Sequence, residues 1–262
     1  AELLEELNND AVEPEWTLNL EGPGPEFPRT FEPVENLPSS SFVHVWEPPE
    51  EDTAYVIGAD VAEGLRHGDY SSAHVMAVGD DTRIVAEWHG HIEPDLFAYE
   101  LFKLGTWYNT ALVLPEVNNH GLTTVTELRK LGYKRIWRRM ALNSANKKRQ
   151  MEWGWKTTRV TKPLMIDKLH KWLRERRSDG VPSVATCAEL ARFTRNSRGG
   201  MSGSPHDDRV ISLALAVHAL EFAYAPEYQE EVEYPYMSMA WYEQELQKWE
   251  GSFADDDEWV IT

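Results

Sequence analysis

Two acidic residues stand directly behind apolar runs. Asp60 follows Tyr55-Val-Ile-Gly-Ala, and Glu116 follows Ala111-Leu-Val-Leu-Pro. A third acidic position, Asp207-Asp208, opens an apolar stretch through Val210, Leu213, Ala214, Val217 and Leu220. Carboxylates brought together in this way are suited to hard divalent cations, which take oxygen ligands. Two Mg²⁺ ions about 3.5–4 Å apart stabilise the attacking and leaving oxygens of a phosphodiester and lower the pKa of bound water. Taken singly, each acid has an ordinary reading. Asp60 caps a turn, Glu116 is a solvated loop acid, and Asp207 or Asp208 is a good helix N-cap. One of that pair is expected to cap, which leaves the other for a metal.

Around these acids lie residues suited to phosphates. Lys134, Arg135, Arg138, Arg139, Lys147, Lys148 and Arg149 fall within sixteen positions. They read as a loop that follows a nucleic-acid backbone, fixing position rather than sequence. Lys162 is placed to meet a scissile phosphate, or else is a surface residue at a helix start. Asp69 reads as stabilising the turn at Gly68, or else as supporting the metal site from that turn. His120 and His206 flank acidic positions and read as hydrogen-bonding groups, or else as a proton donor or a support behind the metal ligands. Asn118, Asn119 and Gly121 shape the turn after Glu116. The stretch 195–203 reads as a loop beside the site or as a linker, Cys187 as a core residue, and Trp153 and Trp155 as core aromatics rather than base-stacking ones.

The elements that must carry these side chains follow from periodicity. Residues 55–60, 73–78 and 83–88 read as three strands, with Gly79-Asp-Asp-Thr82 as a turn, giving an antiparallel meander. Pro94 starts a helix with Phe97, Leu101, Leu104 and Tyr108 at helical spacing. Residues 111–115, uniformly apolar, predict a central parallel strand. Helices follow at 122–131, from Pro163, and from Asp207-Asp208, with a strand at 134–137 between the first two. If the strands ending at Asp60 and Glu116 are parallel neighbours, their ends lie about 4.7–4.9 Å apart. Both acids then leave the sheet at its carboxyl edge, where open α/β sheets place their sites. The order β-β-β-α-β-α-β-α is that of a ribonuclease H-like α/β fold, an antiparallel three-strand meander plus parallel strands, flanked by helices.

The 262 residues carry a formal charge of -18, which at first argues against a nucleic-acid partner. Its distribution reverses that. Residues 54–223 hold 24 basic and 19 acidic side chains, against 1 and 14 in residues 1–53 and 1 and 11 in residues 224–262. A mildly basic centre lies between acidic ends. Three segments are expected: an acidic, Pro-rich arm or linker (1–53), a nuclease-like domain (54–223) and an acidic, aromatic tail (224–262). Apolar residues such as Trp16 and Trp46 suggest that part of the arm lies against the core. One cysteine excludes an internal disulfide and fits a reducing compartment. No apolar run is long enough to span a bilayer. No phosphate-binding Gly-x-x-x-x-Gly-Lys-Ser/Thr loop occurs, so the chain is not itself a Walker-type ATPase.

Several segments together resemble the nuclease domain of phage terminase large subunits. Val56-Ile-Gly-Ala-Asp60-Val-Ala-Glu-Gly64 with Gly68-Asp-Tyr-Ser71 is similar to the first nuclease motif, and Pro115-Glu116-Val-Asn-Asn-His-Gly121 to the second. Gly154-Trp-Lys-Thr157 with Thr161-Lys-Pro163 resembles a mid-domain segment, and His206-Asp207-Asp208-Arg-Val210 the third acidic motif. The resemblance covers roughly residues 45–223. It implies endonuclease cleavage of concatemeric viral double-stranded DNA, with two Mg²⁺ or Mn²⁺ ions. Asp60, Glu116 and Asp208 would be the catalytic ligands, with Asp207 alongside. Arg138, Arg139, Lys147, Lys148, Arg149 and Lys162 would contact DNA. It also implies a portal protein, a small terminase subunit and a packaging ATPase domain as partners, no membrane, and the cytoplasm of the infected host cell. The family carries its ATPase ahead of the nuclease. This sequence lacks it, so either it is an excised nuclease domain or the ATPase is a separate polypeptide. Two other readings are a further ribonuclease H-like nuclease, such as a junction resolvase, and a non-catalytic docking module of a packaging complex.

Overall fold

The structure, a computed structural model, describes residues 10–18, 41–65, 68–118, 120–142, 149–176, 180–195, 201–203 and 205–224. Its centre is a six-stranded sheet. In chain order the strands are β1 (Trp16–Leu18), β2 (Ser41–Val45), β3 (Tyr55–Asp60), β4 (Ser71–Ala77), β5 (Arg83–Gly90) and β6 (Leu112–Pro115); in space they run β1-β2-β5-β4-β3-β6. β3, β4 and β5 form the expected antiparallel meander, and β6 lies parallel to β3, with Val56 opposite Leu112 and Ala59 opposite Pro115.

Helices cover both faces. Alternate residues of β3 therefore enter different cores, and the whole strand is apolar rather than patterned. Val56 joins Leu114, Met165, Leu169, Leu213 and Val217 on one side. Ile57 and Ala59 join Phe97, Leu101, Leu104 and Leu128 on the other. The second face is covered by α1 (Pro94–Trp107) and α2 (Gly121–Lys130). The first is covered by α3 (Thr161–Arg176), α4 (Val184–Arg192) and α5 (Asp208–Ala219). α5 is buried along nearly its whole length and crosses the centre of the sheet. At the crossing β3 carries Gly58, where any Cβ would overlap the backbone of Ser212 and Ala216. The glycine lets helix and strand backbones meet.

Five features differ from the sequence expectation. Ser41–Val45, within the segment read as an arm, pairs antiparallel with β5 and buries Val43 and Val45. Five residues with two buried valines are too short a pattern to stand out in a Pro- and Glu-rich stretch. α4 was not anticipated. Ser183 caps it by accepting from the Thr186 N–H at 3.2 Å, and its buried face includes Cys187 and Leu190. Lys134–Trp137 is not a full strand. Only Ile136 bridges to Val113, beside β6. The basic segment read as a loop is instead a hairpin of β7 (Arg138–Leu142) and β8 (Arg149–Trp153). Short strands β9 (Thr194–Arg195) and β10 (Met201–Ser202) also pair within the stretch read as a loop. Cys187 is buried as expected, with its thiol pushed up to about 11, first by burial. Lys147, Lys148 and Asn119, and all of 224–262 except Tyr224, lie outside the described residues.

Candidate active site

Asp60 and Glu116 leave the sheet at one edge because their strands are parallel neighbours in register. The Glu116 N–H donates to the Ala59 carbonyl at 2.8 Å, one step beyond the last β3–β6 pair. On the other side Trp155 N–H donates to the Pro115 carbonyl and Val117 N–H to the Trp155 carbonyl, both at 2.8 Å. Glu116 is thus held by backbone from both flanks. Its carboxylate accepts a hydrogen bond from Asn118 Nδ2 at 2.7 Å, and Asn118 also donates to the Thr157 carbonyl at 2.9 Å. Gly121 makes the following turn possible, since a Cβ there would overlap the Glu116 carbonyl.

The electrostatics tie the acids into one group. The Asp60 carboxyl is pushed well above the usual range, first by burial, then by the Glu116 charge and a side-chain hydrogen bond with Glu116. The charges of Asp208 and Asp207 add to the shift. Asp208 is 5% exposed and raised to about 7, mainly by burial. The Tyr70 N–H, donating to Asp208 Oδ2 at 3.3 Å, works against that rise, while Glu189 and Asp69 add to it. Raised carboxyls of this kind mark charges that need a counter-charge.

The N-terminus of α5 corrects one expectation. Asp207 occupies the N-cap position, yet its side chain makes no capping hydrogen bond. It pairs instead with Lys162 Nζ at 3.2 Å. The Glu189 carboxylate, reaching from α4, accepts from the Arg209 N–H at 3.0 Å and so takes over that role at the second turn position. Neither Asp207 nor Asp208 is spent on the helix.

The other candidates divide. Lys162 reaches the acids through Asp207. His206 Nδ1 lies 3.6 Å from Asp69 and 3.8 Å from Asp208, edge-on to Tyr70. His120 pairs with Glu63 at 2.9 Å on the exposed side. Arg138, Arg139 and Arg149 are on the β7–β8 hairpin, whose end at Trp153 is two residues from Trp155, the partner of Glu116. Arg139 pairs with Glu152 at 2.8 Å and Arg138 lies over the Trp153 ring. Met140 and Met151 face each other on the hairpin and are exposed. Sequence reasoning missed the Asn118 contact, the Tyr70 N–H, and the buried group of Glu87, Arg209 and Glu189. A single acid, Glu87, inside the apolar run Ile84-Val-Ala-Glu-Trp88 was the available signal for the last.

Among the described residues, no three His, Cys, Asp or Glu side chains are already gathered closely enough to hold a metal ion. Asp207 accepts from Lys162, Asp208 from the Tyr70 N–H and Glu116 from Asn118. The donor set itself, all carboxylate oxygen, fits Mg²⁺ or Mn²⁺ and does not fit a soft-ligand metal. No helix among the described residues is long and apolar enough to cross a membrane.

No family model matches the sequence, and no curated protein sequence matches it. Solved structures do. The large terminase nuclease from thermophilic phage G20c with bound magnesium is 19% identical, with a TM-score of 0.55, over 82% of this chain and 94% of that one. The same nuclease with bound cobalt is 18% identical, with a TM-score of 0.54, over 82% and 96%. The Thermus phage P74-26 large terminase nuclease domain is 18% identical, with a TM-score of 0.52, over 89% and 99%. This chain therefore has the fold of the large terminase nuclease domains, a ribonuclease H-like mixed sheet flanked by helices.

Proposed function

We propose that this chain is a divalent-metal-dependent endonuclease that cuts double-stranded viral DNA during genome packaging. The observation that carries this reading is that Asp60 and Glu116 end adjacent parallel strands, with the charges of Glu116, Asp208 and Asp207 all acting on the Asp60 carboxyl. The fold shared with terminase nuclease domains, one of them solved with magnesium, supports it.

Asp60, Glu116 and Asp208 would hold Mg²⁺ or Mn²⁺, two ions in all, with Asp207 as an additional ligand. When bound, such ions activate water and neutralise charge on the phosphate and the leaving oxygen. The protein's own contribution is orientation. Asn118 fixes the Glu116 carboxylate against the Thr157 carbonyl. Tyr70 fixes that of Asp208. Lys162 holds an ammonium beside Asp207, able to turn to a phosphate oxygen once the acids bind cations. The hairpin arginines Arg138, Arg139 and Arg149, with Lys147 and Lys148, would track the DNA backbone. Partners in keeping with this role are a portal protein, a small terminase subunit and a packaging ATPase domain, in the cytoplasm of an infected host cell.

Incubating supercoiled plasmid with the purified chain in Mg²⁺, Mn²⁺ or EDTA tests the proposal. Metal-dependent nicking and linearisation that disappear in Asp60→Asn are the expected result. Cutting that persists in EDTA, or none in either metal, overturns it.

A further inference from the structure

Behind the acids lies a buried ionic group that the proposed chemistry does not use. Arg209, the residue after Asp208, donates from Nε to Glu87 Oε1 at 2.5 Å and from Nη1 to Glu189 Oε1 at 2.7 Å. Its backbone N–H donates to Glu189 Oε2 at 3.0 Å. Glu87, on β5, is 2% exposed and also accepts from Thr186 Oγ1 at 2.7 Å, with His74 Nε2 3.4 Å away. His74 in turn meets Ser212 on α5 at 2.8 Å, and Ser212 meets Ser72 on β4 at 2.9 Å. One guanidinium thus ties the first turn of α5 to β5 and to α4.

Two carboxylates for one buried arginine is a poor way to obtain stability, since the desolvation of such groups commonly offsets their attraction. Its geometric effect is specific. A helix N-terminus needs an acceptor for its free N–H groups, and its own Asp207 is the natural supplier. Here Glu189 from another helix supplies it. Asp207 is released to Lys162 and Asp208 is held at the Tyr70 N–H. Arg209 has a planar fork that fixes both angle and distance, which a lysine lacks.

We infer that Glu189, Arg209 and Glu87 form a positioning clamp that caps α5 in place of Asp207 and thereby sets the Asp207–Asp208 pair for metal binding. The inference rests on the reading of these acids as metal ligands. None of the three clamp residues is among the proposed metal ligands. Their effect is exerted through the first turn of α5.

The test uses Arg209→Lys, Glu189→Gln and Glu87→Gln, with Leu213→Ala as a control that loosens the same helix from its apolar side. Two quantities are measured: Mn²⁺ binding by calorimetry, and amide hydrogen exchange at Tyr70, whose N–H is held by Asp208. The clamp variants are expected to weaken Mn²⁺ binding about 10–100-fold, the range for residues that orient metal ligands. They should also speed Tyr70 exchange. Saturating Mn²⁺ should restore cleavage in Arg209→Lys. Leu213→Ala should lower the melting temperature without moving Mn²⁺ affinity. Clamp variants with wild-type Mn²⁺ affinity and wild-type Tyr70 exchange overturn the inference. So does a loss of affinity in Leu213→Ala equal to theirs. A wild-type chain that binds no Mn²⁺ overturns the metal reading instead, and Tyr70 exchange then still decides whether the clamp sets Asp208.

Discussion

Asp60 and Glu116 stand side by side at the ends of adjacent parallel strands, where the Glu116 N–H donates to the Ala59 carbonyl at 2.8 Å. Burial, and then the Glu116 charge beside it, holds the Asp60 carboxyl well above its usual range. A divalent cation held by these carboxylates would supply the opposite charge that offsets this penalty. The site is therefore expected to be more strained without metal than with it, and removing one acid should have opposite effects on stability and on activity.

Asp60→Asn, Glu116→Gln and Asp208→Asn should each lower metal-dependent cleavage by on the order of 10²-fold or more, above the range seen when only an orienting residue is lost. In EDTA, Asp60→Asn should melt no lower than wild type, since it keeps the shape and deletes a disfavoured charge. Asp207→Asn should be milder than Asp208→Asn, because Asp207 is bound to Lys162 and is the less buried of the two. Nicking assays and calorimetry check both halves. Full activity in any of the first three variants removes that residue from the site.

Gly121→Ala offers a test of geometry rather than charge. Its new Cβ overlaps the Glu116 carbonyl, so the turn and Glu116 must shift together. Cleavage should fall at least ~10-fold, since sub-ångström misplacement of reacting groups is costly. Gly58→Ala should act differently. It forces α5 off β3, and the melting temperature should drop sharply whatever metal is present. A Gly121→Ala protein with wild-type cleavage rates would show that Glu116 has no fixed position to lose.

Much of this arrangement is legible in the sequence because it depends on local patterns. Apolar runs ending at Asp60 and Glu116 predict buried parallel strands, and the register between them then fixes where the acids emerge. Pro94 and the spacing from Phe97 to Tyr108 predict α1. The parts that were not legible depend on tertiary partners. Capping by Glu189 requires knowing that α4 packs beside α5, and nothing in His206-Asp-Asp-Arg209 says so. Asn118 reads as a turn residue until Thr157 is brought alongside it. The β7–β8 hairpin has Met140 and Met151 exposed rather than buried, so it lacks the one-faced apolar alternation by which strands are recognised.

Replacing Arg138, Arg139 and Arg149 by Ala should weaken duplex binding equally for unrelated sequences. Every DNA phosphate that is no longer neutralised should reduce the slope of log affinity against log salt by roughly 0.9. Arg139 is partly neutralised by Glu152, so its removal should matter least of the three. Fluorescence anisotropy across a salt series measures this. An unchanged slope would mean that the hairpin faces solvent and that DNA is held elsewhere.

The metal-free protein should lose stability as pH rises through neutrality. Asp208 titrates at about 7 in the folded protein, against about 3.9 for an unperturbed aspartate. A carboxyl raised on folding stabilises the folded state fully below its unfolded pKa, and that contribution disappears as pH climbs through the folded value. Asp60 is shifted in the same direction. Histidines act oppositely at lower pH. His89 is lowered to about 3 and His218 to about 4, chiefly by burial, so their contribution is lost as pH falls below about 6.5. The two effects separate above pH 6.5, where these histidines are neutral in both states. From pH 6.5 to 8 in EDTA the wild-type melting temperature should therefore fall, and Asp208→Asn should flatten that fall. Adding Mg²⁺ should raise the melting temperature more at pH 8 than at pH 6, since the cation competes with protons for the same oxygens. A wild-type profile that is flat or rising above pH 6.5 in EDTA, and unchanged by Asp208→Asn, would mean that Asp208 is already ionised at neutral pH and does not sit enclosed among the other acids.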